Sequence, residues 1–427
     1  MGEAAAAIVK ILPGAPEAPE ALSQVGLSRT FLEDLALKIL YLNGPLSLRD
    51  LARRMRLTLP VVNELIRRLR AEMLCEVTGL RESFPDIAIT SEGRARAMDL
   101  FSRNQYVGPA PVSFEAYVEQ VRQQSVRNAE IHPPDVRRAF AHLVLDDKTL
   151  KKLGTSLNSG TSIFLYGPTG TGKTTIATAL ARVLARDTVW LPFAVEIEGQ
   201  VIAVYDPHVH FKGNEPEPEN YDERWVLCRR PTVVVGGELT IEMLELQLNA
   251  ITKFYTAPMQ MKANNGLLII DDFGRQRLRP EELLNRWVVP LDRGIDFLTL
   301  AGGKKVEIPF ELYVVFATNF EPSMLADAAF LRRIQTKVRI GPVSENQFHE
   351  IFRRICADAD LPCDPVIVDE LMKVIRDKYK EPLRACYPRD VVNQILWAAR
   401  YEQRQPSLDR DSLLAATDAY FVSEPEE

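Results

Sequence analysis

One stretch limits what this chain can fold into. An apolar run, Ser162-Ile163-Phe164-Leu165-Tyr166, breaks into Gly167-Pro168-Thr169-Gly170-Thr171-Gly172-Lys173-Thr174-Thr175. Apolar residues then recur at helical spacing from Ile176 to Leu184. The loop has the pattern G-x-x-x-x-G-K-S/T, and strand, glycine-rich loop, helix is the order in which that pattern cradles phosphate. Its glycines let backbone N–H groups converge without a Cβ in the way. The helix that follows adds the positive end of its dipole at the same point. Gly167, Pro168, Thr169, Gly170, Thr171, Gly172, Lys173, Thr174 and Thr175 are therefore the expected nucleotide-binding segment. Lys173 is expected at the β- and γ-phosphates, with the Thr174 hydroxyl on Mg²⁺.

A second landmark supplies acid. Leu267-Leu268-Ile269-Ile270-Asp271-Asp272 reads as a buried parallel strand that delivers carboxylates to its C-terminal edge, where such sheets bind ligands. Asp271 would hold Mg²⁺ opposite Thr174, and Asp272 would polarise the attacking water as a general base. Another buried strand, Leu312 to Thr318, ends in Asn319, whose amide can both donate to and accept from water or phosphate. Between them Leu283 to Leu291 reads as one helix, and Phe297 to Pro309 as a hairpin with Lys304 and Lys305 at its tip. A short helix then precedes Arg332 and Arg333, and Tyr387-Pro388-Arg389 opens a helix in a segment that is helical throughout.

The rest of the chain divides by composition. Residues 1–22 are rich in Ala, Pro and Glu and read as a flexible leader. Residues 23–104 show a helix with Phe31, Leu35, Ile39 and Leu40 on one face, then two short helices capped by Ser47 and Thr58. Two strands, around Glu76-Val77-Thr78 and Asp86 to Thr90, and a closing helix complete a pattern that resembles a winged-helix domain. Its helices carry Arg49, Arg53, Arg54, Arg56, Arg67, Arg68 and Arg70, diluted by Glu64, Glu72, Glu76, Glu82 and Asp86. Contact with nucleic acid and contact with protein both stay open on that evidence. Residues 105–131 read as a linker that ends in a helix with Phe114, Tyr117, Val118 and Val121. Asp135 to Leu153 reads as helical. The interval 187–265 reads as an insertion containing a hairpin about Glu198-Gly199-Gln200 and an acidic, proline-rich loop from Asn214 to Asn220. On an extended segment His208 and His210 would face the same way and could share a metal with Asp206 or Cys228, although a surface or packing role fits the missing second ligand pair better.

Taken in order, the phosphate loop, the acidic strand, the Asn-ended strand, the arginine pair and the late arginine resemble the AAA+ ATPases over roughly residues 130–420. The hairpin ahead of Asn319 and the long insertion resemble the branch holding MoxR-like chaperone ATPases and enhancer-type transcription activators. The resemblance implies a P-loop NTPase three-layer αβα core at 132–342 with its insertion, and a C-terminal helical lid at 343–422. It also implies ATP and Mg²⁺ as ligands, a homo-oligomer with six as the usual ring size, and hydrolysis coupled to remodelling of a partner. In such rings Arg333, or Arg332 as second choice, would act on a neighbour's ATP. Arg389 would lean over the phosphates from the lid, and Val136 to Leu145 would pack against the adenine. Most relatives carry Glu where this chain has Asp272, one methylene shorter, which implies slower hydrolysis or a repositioned water.

Three functions fit these residues. The first is a ring ATPase that remodels a protein client recruited through the winged helix. The second is a DNA-acting ATPase or transcription regulator, and the third a slow, ATP-gated switch. A net charge of −6 gives no global attraction to nucleic acid or to membranes. No apolar run is long enough to span a membrane, and Glu3 with no basic start argues against a secretory signal. The five scattered cysteines read as reduced core thiols of a cytoplasmic protein.

Overall fold

The computed structural model describes residues 14–184 and 187–421. Of the expected flexible leader, residues 1–13 lie outside the described residues. Residues 14–22 are held in place: Glu17 bridges Tyr221, Ala18 N donates to Asn220 O at 3.2 Å and Asp222 N to Pro16 O at 2.7 Å. Composition there reported low apolar content, while backbone hydrogen bonding decided the structure.

The N-terminal unit comprises α1 (Arg29–Asn43), β1 (Leu46–Ser47), α2 (Leu48–Met55), α3 (Leu59–Ala71), β2 (Cys75–Arg81), β3 (Phe84–Ile89) and α4 (Ser91–Arg103). Its small antiparallel sheet runs β1-β3-β2. Leu32, Leu35, Ala36, Ile39 and Leu40 of α1 share one core with Leu51, Met55, Val62, Leu65 and Leu69 of α2 and α3. Ser47 caps α2 through Asp50 N at 3.1 Å. Thr58 precedes α3 without capping it, because its hydroxyl donates instead to Pro19 O at 2.6 Å.

Residues 105–131 are not a free linker. They hold β4 (Val112–Ser113) and α5 (Phe114–Gln123), and Tyr106, Ala110, Val112, Tyr117 and Val121 are buried. Gln124 exchanges two hydrogen bonds with the Trp190 backbone, at 2.7 and 2.9 Å. Glycine and proline here mark turns within a packed segment, which their frequency alone does not distinguish from a tether.

Beyond it lie α6 (Pro133–Ala139) and α7 (Asp147–Ser159), so the helix expected from Asp135 to Leu153 is broken at Phe140. Next come β5 (Ser162–Tyr166) and α8 (Lys173–Val183). The insertion folds as β6 (Thr188–Pro192), β7 (Ala194–Ile197), β8 (Gln200–Ala203) and β9 (Trp225–Arg229). The next strand, β10 (Thr232–Val235), corrects the insertion's boundary, since it pairs in parallel with the acidic strand as an edge of the main sheet. The chain then returns to the insertion with β11 (Gln247–Leu248) and β12 (Tyr255–Thr256), followed by α9 (Met259–Lys262). The insertion sheet runs β11-β12-β8-β7-β4, and β6 pairs with β9.

The main sheet is completed by β13 (Leu267–Ile270), and the helix expected from Leu283 to Leu291 forms as α10 (Pro280–Arg286) and α11 (Val288–Arg293), parted at Trp287. The hairpin β14 (Ile295–Thr299) and β15 (Lys305–Pro309), then β16 (Tyr313–Thr318), α12 (Ala328–Leu331) and β17 (Thr336–Arg339) follow. Order in the main sheet is β10-β13-β16-β5-β17, every pair parallel. Ile163, Leu165, Ile269 and Val315 pack on one side with α6, α7 and α8. Phe164, Leu268, Ile270, Val314 and Phe316 pack on the other with α10 and Trp287. That alternation makes a three-layer αβα core. The C-terminal region is the helical bundle α13 (Glu345–Asp358), α14 (Pro365–Asp377), α15 (Tyr387–Tyr401) and α16 (Arg410–Tyr420). No helix among the described residues is long and apolar enough to cross a membrane.

Arg224 locks the N-terminal unit to the insertion. It pairs with Asp222 at 2.7 Å with both side chains buried, and donates to Val25 O at 2.9 Å and Pro111 O at 3.1 Å. Arg224→Met strands a buried carboxylate and should cost about 3–5 kcal/mol in urea unfolding. The double variant Arg224→Met/Asp222→Leu should cost less, since no charge is left unpaired.

Candidate functional site

Strand register brings the site together. Ile270 lies opposite Phe316, Phe316 opposite Phe164, and Thr318 opposite Tyr166. The residues that follow each strand, Asp271-Asp272, Asn319 and Gly167, therefore leave the sheet at one edge.

The loop fits a phosphate chain. Gly167 (φ 141°) turns so close to β17's end that a Cβ would fall 2.1 Å from Ile340 O. At Gly170 (φ 75°) a Cβ would meet Cys386 Sγ at 2.6 Å. Helix α8 begins at Gly172 with no side chain capping its first turn, so those N–H groups face the loop without a protein acceptor from the cap residue. Lys173 Nζ donates to Gly167 O at 2.9 Å and Pro168 O at 2.7 Å. Burial pulls its pKa below the usual lysine value, while the carboxylates of Asp272 and Asp271 pull it back up. Both acids are thus within electrostatic reach of the ammonium. Thr171 braces the loop through Pro168 O at 2.9 Å, and Thr175 is exposed.

Thr174 Oγ1 donates to Asp271 Oδ1 at 3.0 Å, which sets a hydroxyl and a carboxylate side by side, oxygen donors of the kind that could hold a divalent cation. Asp272 lies in the left-handed region (φ 49°), and Asn319 Nδ2 donates to its Oδ1 at 3.2 Å. The expected general base and the expected water-orienting amide therefore touch each other.

Of the arginines, Arg333 is tied to Asp292 at 2.8 Å, whereas Arg332 is exposed and forms no ion pair among the described residues. Arg389 is exposed beside Asp390, at 3.3 Å. The lid meets the phosphate loop through other residues: Cys386 N donates to Gly170 O at 3.1 Å and Arg384 reaches Thr169 Oγ1 at 3.4 Å. Sequence reading passed over Arg384 because it precedes α15 rather than opening it. Val136 and Phe140 are buried in the core beside α8, and Leu145 is half-buried there. At the hairpin tip Lys304 pairs with Glu198 of the insertion, leaving Lys305 exposed.

The paired histidines do not converge. Residues 206–210 form a turn, with His210 N donating to Asp206 O at 2.7 Å, so His208 is exposed and His210 buried. His210 Nδ1 accepts from Asp206 N and Nε2 donates to Lys262 O, both at 2.9 Å. Both ring nitrogens are used, and no group of three or more His, Cys, Asp or Glu side chains is placed to hold a metal among the described residues.

Three comparisons bear on this chain. Residues 344–419, most of the lid, match a family described only as a domain of unknown function (DUF8689). No curated protein sequence matches. Among solved structures, the Thermotoga maritima RuvB Holliday junction branch migration motor aligns at 14% identity with a TM-score of 0.37, covering 64% of this chain and 69% of that one. Domain III of the Thermotoga maritima replication initiation protein DnaA aligns at 12% identity with a TM-score of 0.38, covering 69% and 99%. The FIGL-1 AAA domain aligns at 12% identity with a TM-score of 0.34, covering 68% and 80%. The architecture itself rests on the parallel strand order and the phosphate loop.

Burial holds the pKa of His210 below 6.5, so the fold favours the neutral ring. Its contribution to stability is complete above pH 6.5 and declines as pH falls from there toward the lower folded value. Protonation would also turn Nδ1 into a donor facing the Asp206 N–H. The drop in melting temperature from pH 8 to pH 5 should be larger for the native chain than for His210→Gln.

Proposed function

We propose that this chain is a Mg²⁺-dependent ATPase of the AAA+ class. One observation carries the reading: the sheet register sets Lys173, Thr174, Asp271, Asp272 and Asn319 about one edge, with the uncapped start of α8 among them. Lys173 and the α8 amides would bind the phosphates, and Asn319 would orient the attacking water toward Asp272. Mg²⁺, held through Thr174 and Asp271, would neutralise charge on the transferring group. The protein works as a homo-oligomer, a hexamer in the usual form of such rings, in the cytoplasm, and remodels a protein client. Exposure supports Arg332 as the arginine offered to a neighbour's ATP, with Arg333 holding that segment to Asp292. Arg384, near the loop, joins Arg389 as a lid arginine for the phosphates. The N-terminal unit, read as a winged helix, recruits the client from a fixed position, because Arg224 and the insertion core hold it.

Lys173→Ala should abolish ATP turnover. Arg332→Ala should lower it by about 10³-fold, and mixing these two variants should restore part of it, since each supplies what the other lacks at a shared site. Arg333→Ala should have the smaller effect. Undiminished turnover in Lys173→Ala would refute the reading.

A second reading, nucleic-acid binding by the N-terminal unit, is supported by the outward face of α3, where Asn63, Arg67 and Arg70 are exposed and neither arginine forms an ion pair among the described residues. It requires salt-dependent binding of duplex DNA that Arg67→Ala weakens. Flat titrations at low salt would leave the protein-client reading standing alone.

A further inference from the structure

We infer that Gln276 is a positioning residue that sets the Asp271–Asp272 pair for hydrolysis; the inference rests on the ATPase reading above. Side chains alternate faces along an extended strand. A residue that continued β13 in extended form at 272 would turn its carboxylate away from that of Asp271. Asp272 breaks the alternation by adopting φ 49°, a conformation that aspartate tolerates better than most side chains. With a single methylene, its carboxylate has little reach of its own, so the backbone must aim it.

The turn is closed by Gln276. Its Nε2 donates to Asp271 O at 2.8 Å and its Oε1 accepts from Gly274 N at 2.8 Å. Arg275 N donates to Asp272 O at 3.0 Å, which completes the loop of bonds. Gly274 (φ 102°) is required where it stands, because a Cβ would come within 2.8 Å of Leu325 and 3.0 Å of Phe320. From β16, Thr318 Oγ1 donates to Phe273 O at 2.6 Å and Ala317 O accepts from Phe273 N at 2.7 Å. The turn is therefore fixed to the strand that carries Asn319, the partner of Asp272. Gln276 is half-buried, and among the described residues no other side chain bonds to Asp271 O. A side-chain amide that satisfies a backbone acceptor and a backbone donor of one turn holds that turn as a helix cap holds a helix end.

The test compares the native chain with Gln276→Met, which removes both bonds at similar length, and with Gln276→Glu, which can still accept from Gly274 N but cannot donate to Asp271 O. Three quantities are measured: kcat for ATP, affinity for a fluorescent ATP analogue without Mg²⁺, and melting temperature. The expected result is a loss in kcat approaching about 10²-fold in both variants, with nucleotide affinity and melting temperature retained. Native kcat in both variants overturns the inference. So does a parallel loss of kcat, affinity and melting temperature in both, which would make Gln276 a packing residue only. A native chain that binds ATP without turning it over refutes the ATPase reading itself, and the inference falls with it.

Discussion

The parallel pairing of β13, β16 and β5 is the constraint on which the rest depends. Each strand is buried on both faces, so the middle of each is apolar and polar side chains are confined to the strand ends and the loops beyond them. Register then decides which stopping points coincide. Because Thr318 lies opposite Tyr166 and Ile270 opposite Phe316, acids, amide and phosphate loop emerge together. The aromatic packing beneath them keeps that register. Phe164 stacks on Phe316 at 5.2 Å, and Phe273, the residue after the acids, meets Phe316 edge-on at 5.1 Å. A slip of one residue would carry these rings to the opposite layer.

Above this core the chain builds a second body from discontinuous pieces. Val112, Tyr117, Trp190, Val195, Trp225, Tyr255, Leu298 and Ile308 share one cluster, so the segment ahead of the core, the insertion and the β14–β15 hairpin are packed together. Ala194 and Val201 of the insertion enter the N-terminal unit's own core. Arg230 is buried so deeply that its pKa falls to about 10, and it donates to Gln124 O and Asn265 O. Buried cations with backbone acceptors of this kind fix one arrangement, because any other would leave charge unsatisfied. What reads as a chain of modules is packed together through shared cores.

The site shows how backbone conformation can aim a short side chain. Asp272 has less reach than a glutamate, yet the left-handed turn points its carboxylate toward Asn319 and within the field of Lys173. The arginine pair is divided in the same economical way, one member tethered to Asp292 and the other exposed. Neither division of labour is visible in residue types alone.

The sequence by itself determined the elements whose signals are local. Phosphate loop, acidic strand, Asn-ended strand, hairpin and C-terminal helices each follow from period, glycine placement or capping within about a dozen residues. Most of the candidate site was legible for the same reason, since it sits at the ends of strongly patterned strands. Only tertiary structure decided that β10 belongs to the main sheet, that residues 105–131 are buried, that His208 and His210 part, and which of Arg332 and Arg333 is tethered. Gln276 and Arg384 also lay beyond reach, their partners being set by a turn and by lid docking. These outcomes depend on contacts between residues far apart in the chain or on a backbone angle that several residue types could adopt, and no local pattern encodes either.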